Sequence, residues 1–271
     1  MADTFLAAVV QLTSTSDAEA NWRSADFLVR KAAARGAALV ATPENTNYLG
    51  PHEEKVRRAE GLDGETCRRF AALARELRIH LLLGSFNERS PVAGHCYNTS
   101  VLFGPEGTQL ATYRKIHLFD VAVAPDVVFQ ESATVEPGDA PVVADTPLGR
   151  LGLSICYDLR FPELYRELVR RGAELLAVPS AFTLTTGKDH WEPLLRARAI
   201  ENQCYLLAPA QHGRHDDGGL RQSWGHAMII DPWGHVVALA ADGPGIAVAE
   251  VDRGRLRSVR EHLPALAHRR L

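Results

Sequence analysis

The chain has 271 residues, of which 46% are hydrophobic and 23% are charged, and its net charge is −3 at pH 7. These values are ordinary for a globular protein, and we expect residues 1–271 to form a single domain. The absence of a long basic run argues against nucleic acid or an anionic membrane as a partner, and no apolar stretch approaches the ~18 residues of a transmembrane helix.

Helices and strands alternate in the first half of the predicted fold. Residues 5–11 and 37–42 are predicted strands, and the helix between them is capped by Asp17 and ended by Gly36, which makes a βαβ unit. A further helix is predicted over residues 65–77. The strands that follow it are predicted over residues 81–86, 97–103 and 108–114, and a Gly-Pro-Glu-Gly turn joins the last two.

The second half continues this alternation, with hairpins inserted. A strand pair over residues 141–145 and 150–155 precedes a helix that begins near Pro162 and stops at Gly172. The remaining predicted elements are a strand over residues 173–178, a helix over about 190–203, and strands over 204–209, 227–231, 235–240 and 245–251. Two mixed β-sheets packed face to face and covered by helices fit this order, so the predicted fold class is α/β.

Three residues of different chemistry each follow a predicted strand: Glu44, Lys115 and Cys156. Reacting groups in α/β sheets gather at the carboxyl ends of strands, so this placement indicates an active site. We expect the helix near Pro162 to point its N-terminus at Cys156 and to lower the pKa of its thiol, because the thiolate is the nucleophilic form. A buried structural cysteine and an exposed ion pair are the alternatives, and position alone does not decide between them.

These side chains suit nucleophilic catalysis at a carbonyl carbon. Glu44, if it is shielded from water, can take the proton of Cys156 and return it to a leaving amine. The attack produces an oxyanion, which the Lys115 ammonium and the backbone N–H of Tyr157 can stabilise. Glu131 can hold Lys115 in place and in its charged form, because a neighbouring carboxylate favours the ammonium.

The segments around these residues resemble the three signature segments of the nitrilase superfamily of carbon–nitrogen hydrolases. They are residues 41–45, 113–120 and 155–163, and the likeness runs from about Phe5 to the C-terminus. Glu131 resembles the second glutamate that often accompanies the lysine in this family. The resemblance implies a four-layer αββα sandwich, a covalent thioester intermediate, and no cofactor or metal. It also implies a homodimer or higher homo-oligomer formed by sheet extension and face-to-face packing, with the C-terminal tail of about residues 253–271 at the subunit interface.

Several further segments resemble the branch of small amidases that contains the deaminated glutathione amidases and the omega-amidases. Residues 211–214 and the tail near His262 favour the former, whereas residues 183–186 favour the latter. The expected partner is therefore a small amide that carries a carboxylate. Arg160 is the candidate for binding that carboxylate, because its planar guanidinium suits bidentate recognition; an ion pair with Glu163 is the alternative. Tyr48, Phe182 and Thr183 are candidates for lining the substrate pocket, although Tyr48 suits a packing role equally well.

Other functions stay open at this point. The same thiol can add to a nitrile carbon, so the chain can also be a nitrilase, and a non-catalytic dimeric scaffold is a further alternative. His117, close to Lys115 in sequence, is a weaker candidate for the general base. Residues 212–219 hold two histidines and two aspartates, which could bind a metal, but their glycines favour a flexible surface loop.

The cysteines and the N-terminus bear on location. The four cysteines are far apart and form no C-x-x-C pair, and the first residues lack the basic start and the apolar run of a signal peptide. We therefore expect reduced thiols and a cytoplasmic location.

Overall fold

The computed structural model describes residues 3–124, 127–218 and 221–270. In this part of the chain the α-helices are α1 (Ala18–Ala33), α2 (His52–Arg57), α3 (Glu65–Leu77), α4 (Pro162–Arg170), α5 (Leu184–Asn202) and α6 (Arg253–His262). The strands are β1 (Thr4–Leu12), β2 (Ala37–Ala41), β3 (His80–Arg89), β4 (Cys96–Phe103), β5 (Gln109–Arg114), β6 (Asp120–Ala124), β7 (Val127–Gln130), β8 (Val135–Glu136), β9 (Val142–Thr146), β10 (Gly149–Leu153), β11 (Leu175–Ala177), β12 (Tyr205–Ala208), β13 (Ala210–Arg214), β14 (Gln222–Trp224), β15 (Met228–Ile230), β16 (Val236–Leu239) and β17 (Gly245–Asp252). Two 3-10 helices, Glu131–Ala133 and Cys156–Arg160, complete the described secondary structure. None of the helices in these ranges is both long and apolar enough to cross a membrane.

The strands form two mixed sheets and a separate hairpin of β6 and β7. The first sheet has the order β14-β13-β1-β2-β3-β4-β5, with β17 paired to β1 and β8 paired to β4. The second sheet has the order β16-β15-β12-β11-β10-β9. Each sheet has a parallel centre, made by β1, β2 and β3 in one and by β10, β11 and β12 in the other, with antiparallel strands beside it.

The alternation of side chains along the strands builds the layers. On β1, Ala7 and Val9 belong to a core shared with the second sheet, whereas Ala8 and Val10 face the cluster formed with α1 and α3. The second sheet packs its other face on α4 and α5, through residues such as Leu168. The order of layers is therefore helix, sheet, sheet, helix, and the predicted αββα sandwich is confirmed.

The chain crosses from one sheet to the other at Pro209, the single residue between β12 and β13. The neighbouring segment after β11 runs alongside this crossing: the Ser180 N–H donates to the Pro209 carbonyl at 3.0 Å, and the Gln211 N–H donates to the Ser180 carbonyl at 2.8 Å. These bonds hold Ala181 and Phe182 at the ends of both sheets, where the candidate site lies.

Two sequence predictions about the elements need correction, and two helices were not predicted. The strand predicted to reach residue 155 ends at Leu153, and a 3-10 helix follows it before α4. The helix predicted to begin near residue 190 begins at Leu184; two threonines and a glycine in its first turns are weak helix formers and hid this start. The sequence also gave no sign of α2 or α6, because α2 is only six residues long and α6 is mostly polar.

Candidate active site

Cys156 lies on a strained turn between the second sheet and α4. It opens a 3-10 helix with a φ of 46°, in the left-handed region that non-glycine residues adopt only when their surroundings hold them there. Its N–H donates to the Pro179 carbonyl at 3.0 Å, and the preceding Ile155 N–H donates to Asp158 Oδ2 at 2.8 Å. These bonds fix the backbone at Cys156, and this residue is only 8% exposed.

Asp158 ties this turn to the segment that carries the lysine. Its buried carboxylate accepts hydrogen bonds from the Tyr113 hydroxyl at 2.7 Å, the His117 N–H at 3.1 Å and His117 Nδ1 at 2.7 Å. The His117 ring also stacks on Phe161, with 3.8 Å between ring centroids. His117 therefore supports the turn and does not line the cavity at Cys156. The alternative prediction that His117 is the general base has no support from this geometry.

Glu44, Lys115 and Glu131 meet in a buried cluster beside Cys156. Lys115 Nζ lies 3.0 Å from Glu44 Oε1 and 2.8 Å from Glu131 Oε2. Asn98, on β4, bridges the two acids, because its Nδ2 donates to Glu44 Oε1 at 2.9 Å and to Glu131 Oε1 at 3.2 Å. The structure thus brings these predicted residues together, and it adds Asn98, which the sequence analysis missed.

Among the described residues, the Glu44 carboxylate is held by three hydrogen-bond donors. Its Oε2 accepts the Ala181 N–H at 2.8 Å, its Oε1 accepts from Lys115 and Asn98, and its charge acts on the Cys156 thiol. These contacts suit an ionised carboxylate that is oriented towards the sulfur. Glu44 is only 3% exposed, so bulk water is largely excluded from it.

The electrostatics of the cluster keep the thiol neutral at rest. Burial raises the pKa of the Cys156 thiol well above its usual value, the Glu44 carboxylate raises it further, and Lys115 only partly opposes them. The expectation that a helix N-terminus lowers this pKa is wrong, because α4 begins only at Pro162 and burial dominates. A neutral thiol needs a base at the moment of attack, and Glu44 is placed to act as one.

Lys115 stays charged despite its burial. Burial by itself lowers its pKa, but the Glu131 carboxylate and then the Glu44 carboxylate outweigh burial and raise it. Burial alone likewise raises the pKa of Glu131, but Lys115 and then Lys55 reverse this and hold it at about 2. The Phe119 N–H adds a 2.8 Å hydrogen bond to Glu131 Oε2. The cluster therefore presents a fixed ammonium next to the thiol.

A cavity opens over this cluster. Aromatic side chains and cationic side chains form much of its wall, together with small polar groups. Its lining consists of Glu44, Asn45, Lys55, Lys115, Phe119, Phe129, Glu131, Cys156, Tyr157, Arg160, Ala181, Phe182, Thr183, Thr186, Arg221, Gln222 and Ser223. Phe182 and Thr183 thus line the pocket as the sequence predicts, and Lys55 and Arg221 join it unpredicted.

Arg160 and Tyr48 differ in where they lie. The Arg160 guanidinium is in the cavity, 5.1 Å from the ring centroid of Phe182 and 5.9 Å from that of Tyr157. Its hydrogen bond is with His190 Nδ1 at 3.3 Å, and it makes no ion pair with Glu163 within the described residues. Tyr48, in contrast, does not line this cavity: its hydroxyl donates to the Pro51 carbonyl at 3.0 Å. The prediction of a substrate contact by Tyr48 is therefore replaced by a packing role.

The segment considered as a metal site has a structural role at His215. This buried ring contacts the Ser14 carbonyl through Nδ1 and the Ser223 hydroxyl through Nε2, both at 2.8 Å. The neighbouring Asp216 accepts hydrogen bonds from Ser16. These residues join the loop to the start of the chain, so they do not form the free surface loop predicted from its glycines; Gly219 lies outside the described residues.

Comparison with known proteins gives a consistent result along the chain. The family model of the carbon–nitrogen hydrolases matches residues 6–261. A deaminated glutathione amidase from Synechocystis sp. is 48% identical over 270 residues, which cover 98% of each chain. The human omega-amidase NIT2 is 42% identical over 268 residues, which cover 98% of this chain and 95% of the relative.

Solved structures share the fold. The Caenorhabditis elegans NitFhit protein superposes with a TM-score of 0.92 at 42% identity, over 98% of this chain and 65% of that longer chain. A glutamate-to-glutamine mutant of an amidase from Nesterenkonia sp. superposes with a TM-score of 0.81 at 26% identity, over 98% of this chain and 94% of that one. That amidase carries the acetamide moiety of fluoroacetamide covalently on its active-site cysteine.

Proposed function

This chain belongs to the carbon–nitrogen hydrolase family, and we propose that it is an amidase that cleaves small carboxylate-bearing amides through a Cys156 thioester. The observation that carries the proposal is the convergence of a buried thiol, a carboxylate and a fixed ammonium at one cavity. The deaminated glutathione amidase at 48% identity and the omega-amidase at 42% identity are amidases by name, which supports the same reaction class.

The first half of the reaction forms the thioester. Cys156 Sγ attacks the amide carbon while Glu44 takes the thiol proton, and the carbonyl oxygen becomes an oxyanion. Lys115 Nζ stabilises this charge together with the Tyr157 N–H, which lies in the first turn of a 3-10 helix, where N–H groups have no acceptor within the helix. The intermediate collapses as Glu44 returns the proton to the nitrogen, and the C–N bond breaks to release ammonia or an amine.

The second half regenerates the enzyme. A water molecule takes the place of the released amine, and Glu44 removes its proton as its oxygen attacks the thioester carbon. The same oxyanion contacts hold the second tetrahedral intermediate. The C–S bond then breaks, the sulfur recovers its proton from Glu44, and the carboxylic acid leaves. Glu131 and Asn98 act through Lys115 and Glu44, which they orient without touching the reacting atoms.

A carboxylate on the substrate matches the cavity. Among the described lining residues, four side chains are cationic and two are anionic, and the two acids are engaged with Lys115. We assign carboxylate binding to Arg160, whose guanidinium lies in the cavity without an acidic partner within the described residues. Phe182 and Thr183 would contact the apolar part of the substrate. By analogy with the named relatives, deaminated glutathione and α-ketoglutaramate are the candidate substrates.

We also propose that the single domain assembles as a homodimer in a reducing compartment such as the cytoplasm. Apolar side chains are about half exposed near the edge of the second sheet and the end of α6, notably Ile200, Trp233, Leu239 and Leu263. A patch of this kind favours an interface with a second copy that includes the C-terminal tail. The four cysteines are free thiols, which fits a reducing compartment. Sedimentation of a monomer at micromolar concentration would refute the assembly.

The substrate proposal is tested by catalytic efficiency. We expect kcat/KM on deaminated glutathione or α-ketoglutaramate to exceed that on a nitrile of matched length by a factor of at least about 100, which is the order of one or two charge-assisted contacts at the reacting centre. Cys156→Ala is the control and should release no product. A nitrile-only result would replace the amidase assignment, and equal, feeble rates on all three would reject the carboxylate preference.

A further inference from the structure

Lys55 is a buried cation in the catalytic cavity that the mechanism does not use. It lies on α2, its residue is only 7% exposed, and it lines the cavity with Glu131 and Arg160. Among the described residues, no carboxylate lies within ion-pair distance of its Nζ and no hydrogen bond fixes it. A buried charge without a partner is costly, so such a group marks a place where an anion can bind.

The acids nearest to Lys55 are already engaged. On its own helix, Glu54 pairs with Arg57 and Arg58. In the cavity, Glu131 accepts from Lys115, Asn98 and the Phe119 N–H. Glu131 acts on Lys55 only through its charge, and burial, the larger effect, lowers the pKa of Lys55. A carboxylate supplied by a ligand would compensate the ammonium and favour its charged form.

Arg160 and Arg221 stand at the two ends of a row of aromatic rings. Arg221 lies 5.5 Å from the ring centroid of Phe129, and Phe129 lies 5.3 Å from Phe119. Phe119 lies 5.1 Å from Tyr157, and Arg160 lies 5.9 Å from Tyr157 at the other end. The cavity therefore has two cationic ends separated by an aromatic wall.

Lys55 belongs to the end that holds Arg221. Both side chains line the catalytic cavity, and both also line a small side pocket with Tyr48. The charge of Arg221 also acts on Lys55. Arg221 itself pairs with Asp217 at 3.7 Å, so Lys55 is the buried cation that we assign to a ligand at this end.

We propose that Lys55 binds a second substrate carboxylate, separate from the one assigned to Arg160, so that the preferred substrates carry one carboxylate on each side of the scissile amide. This inference rests on the proposed amidase function and deepens it. A dianionic amide would extend along the aromatic wall with its carbonyl over Cys156 and a carboxylate at each cationic end. An amide with one carboxylate would use one end only and bind more weakly.

Four related amides test this assignment. Glutarylglycine carries a carboxylate on both sides of the amide, glutaramate carries only the acyl-side carboxylate, pentanoylglycine carries only the amine-side one, and pentanamide carries none. We expect Lys55→Met to lower kcat/KM at least about 30-fold, mainly through KM, for glutarylglycine and for one of the two singly charged amides. For the other singly charged amide and for pentanamide, kcat/KM should stay within about threefold of the wild type. Arg160→Met should show the opposite preference between the two singly charged amides.

Two control variants separate binding from folding. Lys55→Arg keeps the charge and should stay within about fivefold of the wild type on glutarylglycine, the order expected when charge is kept and geometry changes. Arg57→Met, at an exposed position of the same helix, should leave kcat/KM unchanged on each of the four amides. Thermal unfolding of each variant shows whether it is folded.

The outcomes distinguish this inference from the proposed function. If Lys55→Met lowers kcat/KM on all four amides by the same factor, Lys55 only balances the charge of Glu131, and the second subsite is rejected. If it lowers none of them, the inference is rejected as well. If the wild type releases product from none of the four, nor from deaminated glutathione or α-ketoglutaramate, the amidase function itself fails.

Discussion

Glu44→Gln is the perturbation that bears most directly on the base. Glutamine keeps the size of the side chain but cannot accept a proton from Cys156, so both acylation and deacylation lose their base. Positioned general bases contribute about 10²–10⁴-fold to rate, which corresponds to about 3–5 kcal/mol of barrier at 1.36 kcal/mol for each tenfold. We expect kcat to fall by at least about 10³-fold, because one residue serves both steps.

The same substitution should leave the fold in place. The glutamine Oε1 can still accept from Lys115 and Asn98, and Lys115 keeps its ion pair with Glu131. The new amide nitrogen faces the Ala181 N–H, which leaves two donors opposed and costs about 1–3 kcal/mol of unfolding free energy. Loss of activity should therefore occur in a protein that still unfolds cooperatively.

The assay measures ammonia or amine release under substrate saturation, with thermal unfolding recorded on the same samples. Glu163→Gln is the matched control, because Glu163 is an exposed acid in the first turn of α4 and does not line the cavity. It should stay within about twofold of the wild type in kcat, as expected for a surface change. A Glu44→Gln variant with kcat within tenfold of the wild type would refute the assignment of the base.

Two further predictions concern the residues that hold the cluster. Asp158→Asn should cost about 3 kcal/mol of unfolding free energy and should also lower kcat, because the new side chain lacks an acceptor for some of the donors from Tyr113, His117 and Ile155. Urea unfolding measures the first effect and steady-state kinetics measures the second. An unchanged kcat would contradict the positioning role of Asp158. The pKa of Glu131 is depressed to about 2, so its ionised form adds stability that is present above its usual value of 4.5 and is lost as the pH falls from 4.5 towards 2. The difference in unfolding free energy between the wild type and Glu131→Gln should therefore be up to about 3 kcal/mol at neutral pH and shrink below pH 4.5, as urea titrations would show; a difference that grows in acid would contradict this.

The sequence predicted those residues of the site that follow recognisable strand patterns. Glu44, Lys115 and Cys156 follow β2, β5 and β10 within three residues, and the buried strands β2 and β10 are visible in the sequence because apolar residues cluster in them. The resemblance of the three segments to a known family supplied the roles and the sandwich architecture, and the layers of the structure confirmed that architecture.

The supporting residues could not be predicted because their roles depend on contacts between distant segments. Asn98 sits in a strand and looks like an ordinary polar residue until β4 brings it between Glu44 and Glu131. Asp158 follows Cys156 by two positions, yet its donors Tyr113 and His117 come from a segment about 40 residues earlier. Lys55 lies in a short charged run that reads as an exposed helix face, and only the packing of α2 buries it.

The direction in which the pKa of the Cys156 thiol is shifted could not be predicted from the sequence for a different reason. A helix after the cysteine predicted a lowered pKa, but the effect of a helix terminus falls off within one turn. In the structure the 3-10 helix separates Cys156 from α4, and burial beside the Glu44 carboxylate raises the pKa instead. The sign of the shift depended on three-dimensional burial, which the sequence pattern did not reveal.

A crystal structure of Cys156→Ala with a bound carboxylate-bearing amide is the most direct measurement of how these residues act. We predict that the amide oxygen lies within hydrogen-bond distance of Lys115 Nζ and the Tyr157 N–H, with its nitrogen next to the Glu44 carboxylate. An amide that binds with its carbonyl oxygen away from Lys115, or outside this cavity, would contradict the mechanism.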